Sequence, residues 1–101
     1  MRLLVMFDLP TLTSEDRRNY RQFRKALINE GFLMMQESIY VRVAVNKKSA
    51  ELLEKQLQKI APKDGLIQTL MVTEKQYASI NFLAGESSQD IRNTDTRLVV
   101  I

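Results

Sequence analysis

The sequence predicts an α+β domain with the element order β-α-β-β-α-β and a β-prone tail. Apolar residues run continuously or alternate in four short stretches, 3–7, 32–35, 39–45 and 66–72, as strands do. The two longer intervening segments instead repeat their apolar residues at helical spacing. Gly31 and Pro62-Lys63-Asp64-Gly65 punctuate the joints. Together these give the split-βαβ, ferredoxin-like plan: a four-stranded antiparallel sheet with two helices on one face.

Each element has its own warrant. Leu3-Leu4-Val5-Met6-Phe7 is uninterrupted by polar residues, which predicts a strand central in its sheet and covered on both faces. Thr13 with Asp16 three residues on reads as a capping box, with Tyr20, Phe23 and Leu27 as the core stripe of the first helix and Gly31 as its left-handed stop. Phe32–Met35 and Ile39–Val45 read as a hairpin closed by Gln36-Glu37-Ser38. In the second of those strands Tyr40, Arg42 and Ala44 alternate with Ile39, Val41, Val43 and Val45, so one face is buried. Asn46 caps a second helix with a stripe of Ala50, Leu53, Leu57 and Ile60, while Lys48, Glu51, Glu54, Lys55 and Lys59 form a solvated face of mixed sign. Leu66–Val72 is the fourth strand. Thr73–Gln76 then reads as a turn, Tyr77–Leu83 as a short fifth strand and 85–90 as a polar loop. The division expected is 1–83 as the ferredoxin-like domain and 84–101 as a C-terminal loop and β extension. Leu98-Val99-Val100-Ile101 has no partner in a completed four-stranded sheet, so it is expected to pair with a neighbouring protomer or partner protein, or else with an edge of its own sheet.

Composition narrows the chemistry. A chain of 101 residues, 45% hydrophobic and 27% charged, is one ordered domain of ordinary globular make-up. With no His and no Cys, serine–histidine hydrolysis, thiol catalysis, structural zinc and haem ligation by those residues fall outside its reach. What remains is carboxylate chemistry with Mg²⁺ or Mn²⁺, or no chemistry. No run approaches the ~20 apolar residues that span a bilayer, and no basic-then-apolar leader opens the chain. The expectation is a cytoplasmic protein with no membrane association.

Two features point to function. Asp8 ends the first strand, where a stiff element presents its oxygens to solvent as a hard metal needs; a strand-end Asp can equally cap its own turn. In the first helix Arg17, Arg18, Arg21, Arg24 and Lys25 fall within an arc of roughly 120° at ~100° per residue. Their mutual repulsion has no acidic neighbour to offset it, unlike the second helix. Such a face suits a polyanion, with arginine forks on phosphates and weak sequence selectivity; it also suits a solvated face or ion pairs elsewhere in the fold. An RNA-recognition sheet is a poor fit, since no Lys/Arg-Gly-aromatic pattern occurs.

The combination resembles the CRISPR-associated protein 2 family, the small subunit of the spacer-acquisition complex. The matching residues are Met6-Phe7-Asp8-Leu9-Pro10, then Arg17, Tyr20, Arg21, Phe23 and Arg24, then Gly31-Phe32, Gln36-Glu37-Ser38-Ile39-Tyr40 and Val72-Thr73-Glu74-Lys75-Gln76. Phe7 stands where many members carry Tyr. The resemblance implies a homodimer that bridges dimers of the CRISPR integrase subunit, CRISPR-associated protein 1, and holds duplex DNA for insertion into a repeat array in antiviral defence. It also implies a Mg²⁺-dependent endonuclease, most often an endoribonuclease acting on single-stranded RNA, with Asp8 of both protomers facing one metal ion. One carboxylate per chain is few for catalytic Mg²⁺, so the ligand count is met only in the dimer. A stand-alone, toxin-like endoribonuclease and a ferredoxin-like regulatory module are the alternatives.

Overall fold

The computed structural model describes residues 1–85. In chain order these are strand β1 (Arg2–Asp8), helix α1 (Ser14–Asn29), strands β2 (Leu33–Gln36) and β3 (Ile39–Val43), helix α2 (Lys47–Ile60), strand β4 (Leu66–Val72) and a short helix α3 (Glu74–Ala78). The strands form one antiparallel sheet in the order β2-β3-β1-β4. This is the ferredoxin-like arrangement, with β1 central as its apolar run demands.

Side-chain alternation divides the sheet into a covered and an open face. Leu3, Val5 and Phe7 of β1 point toward the helices and join Leu9, Phe23, Leu27, Phe32, Tyr40, Leu53 and Leu57 in a single core. Leu4 and Met6 point the other way. Leu4 is buried there by its register neighbours Val41 and Leu70 rather than by a second layer. In β3 the core-facing residue is Tyr40, while Val41 and Val43 belong to the open face. That face leaves Leu33, Val43, Leu66 and Leu70 between 50% and 59% exposed.

The caps follow the sequence closely. In α1 the Asp16 amide donates to Thr13 Oγ1 at 3.0 Å and the Thr13 amide donates to Asp16 Oδ2 at 3.2 Å. At the other end Gly31 (φ 87°) donates to the Ile28 carbonyl and Phe32 to the Leu27 carbonyl, both at 3.0 Å. That pair of bonds is the Schellman closure, and it drops Phe32 into the core beside Leu27. The last turn of α1 holds no basic residue; Arg42 of β3 supplies the charge instead, donating to the Glu30 carbonyl. The Ser49 amide donates to Asn46 Oδ1 at 2.9 Å to start α2.

Several expectations are revised. The Thr73–Gln76 turn is the first turn of α3, closed by a second capping box in which Gln76 and Thr73 exchange bonds of 3.1 and 2.9 Å. The expected fifth strand at Tyr77–Leu83 is absent: Tyr77 and Ala78 finish that helix and residues 79–85 contain no strand. A local cap acts over four residues and outweighs the β preference of the few that follow. β3 stops at Val43, and Val45 is exposed ahead of the α2 cap. The α2 stripe ends at Leu57, leaving Ile60 45% exposed. Glu54, expected on the solvated face, accepts a hydrogen bond from the Thr69 hydroxyl of β4. The expected tail contact through Leu98, Val99, Val100 and Ile101 lies outside the described residues.

Candidate functional site

Asp8 is the last residue of β1, exposed, and on the open face with Leu4 and Met6. The pairing of β1 with β3 ends at Met6↔Ile39, whereas its pairing with β4 continues to Asp8↔Leu66. Asp8 therefore has β4 on one side and no strand on the other, and it sits in a shallow groove. Met6, Phe7, Glu37, Ser38, Ile39, Leu66 and Gln68 line that groove with it. Behind it Phe7 is fixed in the core, edge-on to Phe23 and Tyr20 at 5.3 and 5.8 Å and stacked on Tyr40 at 5.7 Å. The Phe7 amide donates to the Ser38 carbonyl at 3.0 Å, and Ser38 takes φ 67° to present it. A carboxylate so mounted cannot swing with its backbone.

Glu37 and Ser38 also line the groove; the sequence placed them in a turn and in the family match but not among the candidate site residues. Their approach to Asp8 follows from the β1–β3 register and a bulge between Met34 and Gln36, and neither leaves a local sequence signal. The groove offers carboxylate, hydroxyl and amide oxygens, the donors that Mg²⁺ or Mn²⁺ prefers. Among the described residues no group of three or more acidic, His or Cys side chains forms.

The cationic face of α1 is present, with its members differently employed. Arg17 donates from one terminal nitrogen to the carbonyls of Thr11 and Leu12, at 3.2 and 3.1 Å, tying down the loop that follows Asp8. Arg24 donates to Tyr40 Oη at 2.9 Å, as its place beside the core stripe allows. Arg18, Arg21 and Lys25 are exposed, and among the described residues none of the five helix cations is in an ion pair. Arg18 and Arg21 border a shallow polar hollow with Ser14, Glu15, Asn19 and Gln22, so one acid lies on its rim. None of the five lines the Asp8 groove, so anchored acid and cationic face are separate surfaces of one chain.

At the opposite end of β1, Arg2 holds α3. Its Nε donates to both Glu74 carboxylate oxygens at 3.1 and 3.0 Å, and its guanidinium lies 4.2 Å from the centre of the Tyr77 ring. The hydrogen bond from Arg2 is the main cause that keeps the Glu74 carboxyl below the usual carboxylate range, and the same bond raises Arg2.

With this geometry in view, residues 1–80 match the family model described as CRISPR associated protein Cas2. The chain belongs to that family. It is 58% identical over 101 residues to a CRISPR-associated endoribonuclease Cas2 of Lacticaseibacillus rhamnosus and 52% identical to one of Ligilactobacillus salivarius, with all of each chain covered in both cases. Its fold is similar to that of Streptococcus pyogenes Cas2 in the crystal at pH 6.5, with a TM-score of 0.63 at 20% identity over 83% of this chain and 100% of that one. Among the described residues no helix is long and apolar enough to cross a membrane.

Proposed function

We propose that this Cas2-family chain is a dimeric nucleic-acid-binding subunit of the CRISPR spacer-acquisition machinery, holding duplex DNA and bridging dimers of the integrase subunit. The observation that carries this reading is the outward face of α1, where Arg18, Arg21 and Lys25 are exposed and form no ion pair among the described residues, with Glu15 the one acid bordering them. Phosphates relieve that repulsion, and because they look alike at every base pair the contact is indifferent to sequence. Arg17 and Arg24, engaged with loop and core, steady the helix and keep nitrogens free for phosphate.

The open sheet face supports the dimer. Leu33, Val43, Leu66 and Leu70 form an apolar surface that a second copy covers by packing sheet on sheet. Asp8 lies on that same face, so a two-fold related partner brings a second Asp8 to the covered side and doubles the oxygen donors. Asp8 would then hold Mg²⁺ or Mn²⁺ from both chains, with Glu37 within the same groove. Bound there, the metal supplies a Lewis acid and an activated water for phosphodiester chemistry. The residues orient it: β4 fixes Asp8 laterally and the Phe7 ring cluster fixes it from behind. The relatives' names as endoribonucleases favour a second reading, a metal-dependent endoribonuclease in its own right, in which this Asp8 pair is the catalytic centre.

Reversing Arg18 and Arg21 to Glu together tests the binding face. Duplex affinity is expected to fall about tenfold or more at every sequence tried, with the salt dependence reduced by about two phosphate contacts per chain, and with unfolding unchanged. Unaltered affinity would remove the assignment of this face.

A further inference from the structure

We infer that Gly65 is a positioning residue for Asp8. Gly65 immediately precedes β4, whose first residue, Leu66, is the register partner of Asp8. Its backbone has φ 102°, and a Cβ placed on it would sit 2.7 Å from Leu9 Cδ2, 2.8 Å from the Asp8 carbonyl oxygen and 3.1 Å from Leu9 Cα. The first of these belongs to a side chain packed in the core. The other two are backbone, so a side chain here displaces the end of β1 itself. The other glycines differ: a Cβ on Gly31 meets only the Arg42 side chain, no closer than 3.6 Å, and one on Gly85 meets nothing within 4 Å.

The close approach matters because of where β3 stops. Beyond Met6↔Ile39 the β3 side offers the end of β1 only the Phe7 amide bond to the Ser38 carbonyl, whereas β4 pairs it through Phe7↔Ile67 and Asp8↔Leu66. The missing Cβ lets the turn before β4 lie against the Asp8 carbonyl and close that last rung. Moving the rung re-aims the carboxylate within its groove and shifts Leu9, while the rest of the core, anchored at Leu3, Val5 and Phe7, stays put. Gly65 thus acts through Asp8 and touches neither metal nor nucleic acid. The functional side of this inference rests on the reading of Asp8 as the metal-holding residue.

The test uses the isotope-labelled full chain titrated with Mn²⁺ alone, comparing wild type, Gly65→Ala, Gly65→Asn, Gly31→Ala and Asp8→Ala. Gly31→Ala carries comparable backbone strain (φ 87°) at a distance from Asp8 and serves as the strain control. Gly65→Asn keeps the Cβ but tolerates positive φ better, which preserves the test where Gly65→Ala does not fold. The expected result is a tenfold or greater loss of Mn²⁺ affinity in both Gly65 variants, with resonance shifts confined to Asp8, Leu9 and the 63–66 turn. Gly31→Ala should stay within twofold of wild type. Mn²⁺ affinity within twofold in either Gly65 variant, with Asp8 resonances unmoved, overturns the inference. So does failure of both Gly65 variants to fold while Gly31→Ala folds, since the glycine then serves the whole domain. If wild type binds Mn²⁺ no better than Asp8→Ala, the metal reading fails by itself. The Asp8 and Leu9 shifts then decide the positioning role: displacement confined to them supports it and its absence overturns it.

Discussion

Arg24 and Tyr40 show how a single residue can belong to two surfaces. By helical angle Arg24 is the cation nearest the core stripe, and its Nε spends a proton on the Tyr40 hydroxyl, whose ring is 2% exposed and stacked on Phe7. That bond satisfies a buried oxygen and ties the cationic helix to the strand beside Asp8. Replacing Tyr40 by Phe is expected to lower stability by about 1 kcal/mol, read as a reduced denaturant midpoint at constant slope. It should leave duplex affinity within twofold, because Arg18, Arg21 and Lys25 do not depend on the bond. The cations themselves were legible from residue type and spacing. Their separate duties were not, since both Tyr40 and the Thr11 and Leu12 carbonyls reach them only through the fold.

At the scale of elements, α3 illustrates what periodicity alone misses. Five residues are too few to show a helical repeat, and the β-prone letters that follow suggested a strand. The decisive signal was the pair Thr73 and Gln76, a capping box as good as the one recognised at Thr13 and Asp16. No residue of α3 is buried, so the Arg2 contact with Glu74 and Tyr77 is central to its docking. The Glu74 carboxyl is held below its ordinary range by Arg2, so the folded state releases that proton more readily than the unfolded chain. Its contribution is full above the ordinary Glu range, near ~4.3, and is lost as pH falls through the lower folded value. Amide exchange in α3 should therefore quicken below that range while the β1 and β3 amides stay protected. Arg2→Ala should reproduce the change at neutral pH, where Arg2 is otherwise always charged.

For the whole molecule, the order of elements and the central place of β1 followed from apolar patterning, although the expected cover on both faces of β1 is supplied within the chain by a second layer on the helix side alone. Asp8 stood out for the same reason, as the charge that ends the run. Which face of the sheet remained open was hidden: Val41 and Val43 look like core residues, and only the register shows them turned away from the helices. The groove partners Glu37 and Ser38 were hidden likewise. That apolar open face leads to the proposed dimer. Leu70→Asp, at a position half exposed in the single chain, is expected to leave each chain folded and to convert the dimer to a monomer by sedimentation. A variant that remains dimeric would place the interface elsewhere.

The proposed role depends above all on nucleic-acid holding by the intact protein. The direct measurement is a native and a denaturing gel of wild type and Asp8→Ala, each with labelled duplex DNA or single-stranded RNA, in Mg²⁺ or EDTA at low salt. Both proteins are predicted to retard the duplex equally. Mg²⁺-dependent cleavage, where it occurs, should vanish with Asp8→Ala. Failure of both proteins to retard the duplex would contradict the central claim.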